Sequence, residues 1–202
     1  LDLRLSAETV RLWQAEAEEF AASLSIRNGE GLFDIGNAAI VGGNLVAKAA
    51  LRRQGDDAAV SLEGMLDGFD AATLSSAAGN APVGLTGAGD LSFSLMATGN
   101  SATNLVENSF GRIQVSVHDG EIQGANLDRL RNQAQSEGEV LQWSGNTAFN
   151  ALVMDLSVFR TNAWLSSMRL EASDLTMASR GQINLLDGGL ALRMALGPGG
   201  VN

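Results

Sequence analysis

His118 is the only histidine of the chain, and cysteine is absent. A hydrolytic triad would therefore have to run through His118, with Asp119 beside it or with a distant carboxylate. Both residues stand in QVSVHDGEIQ, where alternation makes His118 a strand residue next to a turn signal. Thiolate metal sites are excluded, and one imidazole leaves only carboxylates as further ligands. The densest acidic cluster, Glu16, Glu18 and Glu19, offers paired carboxylates for acid–base work or for a hard cation. It equally suits an exposed strand end kept soluble by charge. GLTGAGD at 84–90 has the composition of a phosphate loop but not its context, because an alternating strand follows instead of a helix. Three tryptophans (Trp13, Trp143 and Trp164) and no tyrosine make a poor stacking platform for sugars or bases. The expectation is no catalytic residue, no metal site and no cofactor.

Composition narrows the class further. With 23 acidic and 13 basic side chains, the net charge of −10 opposes binding to nucleic acid or to an anionic membrane surface by bulk electrostatics. No apolar run reaches the roughly eighteen residues a spanning helix needs, and no secretory leader is visible. The chain starts at Leu1, so a fragment is expected, with any membrane anchor in the missing part.

The elements that must carry any function are strands. Leu1, Leu3 and Leu5 alternate with polar residues, and so do Leu91, Phe93 and Leu95. The same holds for Ile113, Val115 and Val117, for Leu152, Met154, Leu156 and Val158, and for Leu190, Leu192, Met194 and Leu196. Asn28-Gly29, Asp119-Gly120 and Asp187-Gly188 are two-residue hairpin signals, because both central positions of a type I′ turn need positive φ. A return strand over Glu121–Gln123 is expected after the second. The pattern predicts a mainly β protein, a curved antiparallel meander of about ten to thirteen strands with about three short helices. Asp70, Ser101 and Asn126 are the expected N-caps, and Gly79 the residue that ends the first helix. Residues 1–202 read as one unit with a soft boundary near 78–89, where AGNAPVGLTGAG separates strands of 1–78 from a β-domain of 84–202.

The stretch G-x-I-x-V-x-V-x-D-G-x-I-x-G-x-x-L-x-x-L at 111–130 resembles the AsmA-like C-terminal region of the AsmA family. GAGDLSFSLMATGNS at 87–101 is similar to the family's glycine–strand–glycine block, and RGQINLLDGGLALRMAL at 180–196 to its terminal hairpin. LDLRLSAETVRLWQ, LSIRNGEGLFDI and IVGGNLVAKAAL fit more loosely, so the resemblance covers nearly the whole chain. It implies one more strand beyond Leu196, hence a chain cut short. It also implies a β-groove or taco-like sheet in the periplasm of a Gram-negative bacterium, in a protein tethered to the inner membrane by a segment missing here. The implied role is outer-membrane biogenesis, with movement of lipid between the membranes.

A meander with one apolar face either packs that face closed or curls it into a trough for something greasy. The expected partners are phospholipid or another acyl lipid and outer-membrane assembly proteins, and not nucleic acid. The expected groove lining is Leu91, Phe93, Leu95, Ile113, Val115, Val117, Leu152, Met154 and Leu156. The opposing rows carry Ser92, Ser94, Gln114, Ser116 and Asp155, which suit water. The alternative is a spacer or protein-docking module with a closed core.

Overall fold

The computed structural model describes residues 1–12, 15–78, 84–134, 144–185 and 189–199. Alternation becomes strand along most of this length. β1 (Asp2–Leu12), β2 (Ala15–Arg27), β3 (Glu30–Ile40), β4 (Gly43–Gln54) and β5 (Asp57–Asp70) lead into helix α1 (Ala71–Ala78). β6 (Gly84–Gly99), α2 (Ala102–Glu107), β7 (Phe110–Gln123) and α3 (Leu127–Ala134) follow. β8 (Asn146–Phe159), β9 (Asn162–Glu171), β10 (Leu175–Asn184) and β11 (Leu190–Pro198) complete the order. The strands form one antiparallel sheet in sequence order, curved and unclosed, with β1 and β11 at its edges. β5 pairs directly with β6, so the sheet runs on across the stretch near 78–89.

The three helices start where local chemistry dictates. The Thr73 backbone N–H donates to Asp70 Oδ1 at 2.7 Å, that of Asn104 to Ser101 Oγ at 3.2 Å, and that of Arg129 to Asn126 Oδ1 at 2.8 Å. Each cap satisfies an amide that the first helical turn leaves without a partner. Asp70 is held below the ordinary carboxylate pKa, first by the Thr73 hydroxyl and then by the Thr73 backbone N–H. Gly79 and Asp187-Gly188 lie outside the described residues.

Asn28-Gly29 makes the expected turn, with φ of 53° and 79° and the flanking residues Arg27 and Glu30 paired. Asp119-Gly120 does not, and the expected return strand Glu121–Gln123 is instead the continuation of β7. Asp119 has φ 50°, but Gly120 is not left-handed, so the two-residue requirement of a type I′ turn fails. β7 stays paired with β8 from Phe110 to Gln123, and its pairing with β6 shifts between Thr86 and Ala88, around Gly87 at φ 124°. Asp119 therefore acts as a kink inside a strand. Alternation changes parity across it: Val117 is buried before it, Gly120 and Ile122 after it. Gly120 has no room for a side chain, because a Cβ there would collide with the Thr86 carbonyl oxygen.

The main core sits on one face, at the end of the sheet where α1 and α3 pack. Phe69, Ala71, Val117, Leu127, Leu130, Leu152, Leu170 and Leu175 are all buried there. A smaller core of Ala17, Phe20, Ala22 and Ala38 lies under the first strands.

Candidate functional site: an apolar sheet face

Register aligns the apolar residues of all eleven strands into rows. One row runs Leu5, Ala22, Ile35, Ala47, Gly64, Phe93, Ile113, Leu156, Leu165, Gly181 and Leu192, each paired with the next. The adjacent row on the same face runs Leu3, Leu24, Phe33, Ala49, Leu62, Leu95, Gly111, Val158, Ala163 and Ile183. Neither row contains a charged or polar side chain. Period-two geometry sends the residues between them to the other face. There the corresponding row is Arg4, Ser23, Asp34, Lys48, Glu63, Ser94, Arg112, Ser157, Trp164, Gln182 and Ala191.

Helices bound the apolar face at both ends. α1 and α3 cover one end through Ala71, Leu74, Leu127 and Leu130. At the other end a Cβ on Gly99 would meet Asn104 and Leu105 of α2 at 2.8–2.9 Å, so α2 lies against the same face. Ser109, just past α2, joins this end to the β8–β9 turn: its carbonyl accepts from the Arg160 backbone N–H at 2.6 Å, and its hydroxyl donates to the Arg160 carbonyl at 3.0 Å.

The nine expected lining residues share this face but not one environment. Val117 (0 % exposed) and Leu152 (2 %) are closed core under the helices, so neither is open to a ligand in this structure. Leu91, Val115 and Met154 are half-buried and pack against the edge of that core. Phe93, Leu95, Ile113 and Leu156 are half-buried in the two rows between the helices. The Phe93 ring lies over Gly64, where a Cβ would stand 2.7 Å from its Cζ. The first five strands extend the surface with Leu3, Leu5, Leu24, Ile26, Phe33, Ile35, Leu51 and Leu62, residues outside the groove lining expected from sequence. The signal was there in the same two-residue period, but only pairing puts these segments on the face that carries Phe93. On this face Leu51 is 52 % exposed, Leu3 and Leu5 are each 44 % and Met194 is 46 %.

Ser92, Ser94, Gln114, Ser116 and Asp155 belong to the opposite face. Gln114 Nε2 donates to Asp155 Oδ1 at 2.8 Å and Ser167 Oγ to Asp155 Oδ2 at 3.2 Å. An open depression of about 530 Å³ lies over β4–β7 and is lined largely from this charged face, by Val46, Lys48, Glu63, Met65, Ser92, Ser94, Arg112 and Gln114. Ala47, Gly64 and Phe93 of the apolar row complete its lining. His118 is exposed on β7 opposite Ala88 and Ala151, so neither flanking strand brings a carboxylate across from it. Glu16, Glu18 and Glu19 are exposed along β2. Among the described residues no three carboxylate or imidazole groups cluster as metal ligands. No described helix is long and apolar enough to cross a membrane. Trp13 and Trp143 lie outside the described residues, and Trp164 is 48 % exposed on the charged face.

Comparison with protein-family models matches the AsmA family over residues 1–181. Curated proteins and solved structures give no match.

Proposed function

The chain belongs to the AsmA family, and from that premise we propose that it is a non-enzymatic β-groove domain that shields the acyl chains of phospholipid during transport between inner and outer membranes. The family is envelope-associated, is not known as enzymatic, and suggests a context of outer-membrane assembly and lipid transport. Residence in the periplasm, on a protein tethered to the inner membrane, is part of this reading. The observation that carries it is the pair of adjacent rows, apolar on every strand, in which Leu62 is exposed and Phe93, Leu95 and Ile113 are half-buried between the described helices, while Val158, Ala163 and Leu165 of the same rows are buried.

The physical need is large. Each methylene exposed to water costs about 0.8 kcal/mol, so two chains of about sixteen carbons expose on the order of 25 kcal/mol. A strip of Leu, Phe, Ile and Ala removes much of that cost without a fixed polar anchor and without selecting one chain length. A spacer or docking module is the second reading. It is favoured by the closed packing around Val117 and Leu152, which would have to extend along the whole face.

Site-specific photo-crosslinking separates the two. A benzophenone side chain at Leu62, Phe93 or Ile113 should give lipid adducts in cells, while one at Ser94 on the charged face or at Val117 in the core should not. Equal absence of adducts at all five positions, with no lipid seen by native mass spectrometry, would replace the groove with the spacer.

A further inference from the structure

The last three strands carry an arrangement of charge that sheet stability does not explain. Arg180 of β10 stands directly opposite Arg193 of β11. Like charges in directly opposite positions destabilise an antiparallel pair. Arg169 of β9 is on the same face, opposite Ala178, two residues from Arg180. All three are exposed, and none has a carboxylate within ion-pair distance among the described residues.

Their surroundings sharpen the point. Acidic residues outnumber basic ones 23 to 13 over the chain, yet within β9, β10 and β11 Glu171 is the sole acid beside three arginines. Glu171 lies two residues from Arg169 on the same face and is not bridged to it. Asp155, on β8, has both carboxylate oxygens engaged by Gln114 and Ser167. The other sheet edge is built differently, with Arg27 of β2 paired to Asp2 of β1 at 2.8 Å. A charge that guards an edge against unwanted pairing belongs on the edge strand itself. That accounts for Arg193 but not for Arg180 one strand further in.

We propose that Arg169, Arg180 and Arg193 form a phosphate-binding rim that holds the headgroup of a lipid whose chains lie on the apolar face; this rests on the groove reading. Arg193 is flanked in sequence by Leu192 and Met194, which point to the apolar face and are 38 % and 46 % exposed. Among the described residues β11 forms this edge of the sheet. Acyl chains lying on Leu192 and Met194 place the glycerol at that edge. The phosphate then reaches around one strand to guanidinium groups, whose planar forks bind phosphate oxygens two at a time. Two facing arginines thus become favourable only when an anion sits between them.

Calorimetric titration of the purified protein with three probes tests this: dihexanoylphosphatidic acid, dihexanoylglycerol and inorganic phosphate. The parent should bind the phosphatidic acid more tightly than either other probe. R180Q/R193Q should lose about tenfold for the phosphatidic acid, as expected when charge-assisted hydrogen bonds are removed, and bind dihexanoylglycerol unchanged. Its melting temperature should equal or exceed the parent's, since a repulsive pair has gone, which separates lost binding from lost folding. Unchanged affinity of R180Q/R193Q for phosphatidic acid overturns the rim and leaves the groove standing. Inorganic phosphate binding as tightly as phosphatidic acid overturns the headgroup assignment in favour of a free-anion site. Phosphate binding in a parent that ignores dihexanoylglycerol overturns the groove reading itself.

Discussion

Val117 and Phe93 sit on the same face of adjacent strands, four positions apart in register, and live in different surroundings. Val117 and Leu170 are fully buried beneath α1 and α3, whereas Phe93, Leu95 and Ile113 are half-buried with no described helix over them. The side-chain chemistry is the same at both places. The difference lies in the helices: α1 after β5 and α3 after β7 pack their apolar sides onto one end of the sheet. One end of the face therefore behaves as an ordinary core, while Phe93, Leu95 and Ile113 in the middle stay half-buried.

The largest expected effect tests that division directly. Leu170→Ala at the covered end should cost about 2–5 kcal/mol, because the void cannot collapse under packed helices. Leu62→Ala in the uncovered rows, already 37 % exposed, should cost about 1 kcal/mol or less. Urea midpoints of the two variants measure the contrast, and equal losses would mean that the middle is as closed as the end.

Gly64→Val probes the floor of the open rows. A Cβ there would meet the Phe93 ring and the Val46 carbonyl oxygen at 2.7 Å and Ala47 Cβ at 2.9 Å. Overpacking of this kind should cost about 1–3 kcal/mol and push Phe93 outward. Thermal denaturation gives the cost, and crosslinking from position 62 should fall if acyl chains use the space beside Phe93.

Asp70→Ala removes the cap of α1 and should destabilise by about 1 kcal/mol near neutral pH. The carboxyl pKa is depressed in the folded chain. Its contribution is therefore present above the unfolded-state pKa and fades as pH falls through the lower folded value. Parent and variant stabilities should converge in acid, and a gap that widens there would contradict the capping role. The smallest effect belongs to Asp119. Asp119→Gly should change stability by less than about 1 kcal/mol, since glycine accepts φ of 50° without strain. Asp119→Val should cost more, and the difference between the two isolates the strain of the kink.

Much of this molecule was legible residue by residue. Asp70, Ser101 and Asn126 announced their helices because capping is a contact between a side chain and amides two or three residues on. Asn28-Gly29 announced its hairpin for the same reason of locality. The Asp119-Gly120 signal was half right: aspartate tolerates the left-handed region and adopts it, but strands on either side keep β7 paired straight through. Local preference chose the φ, and pairing chose between turn and kink.

For the candidate site the balance differs. Alternation by itself determined that Leu91, Phe93 and Leu95 share a face, and likewise each later triplet, because successive side chains of a strand must point opposite ways. It also determined the antiparallel meander, since short links between alternating segments leave little else. Only the tertiary structure decided that eleven such faces align in register, that Leu62, Phe33 and Leu24 extend the strip, and that Val117 and Leu152 are lost to a core. It alone also set Arg180 against Arg193, thirteen residues apart in the chain. Periodicity fixes a side chain's direction relative to its own strand, whereas burial and opposition are properties of what another segment brings against it.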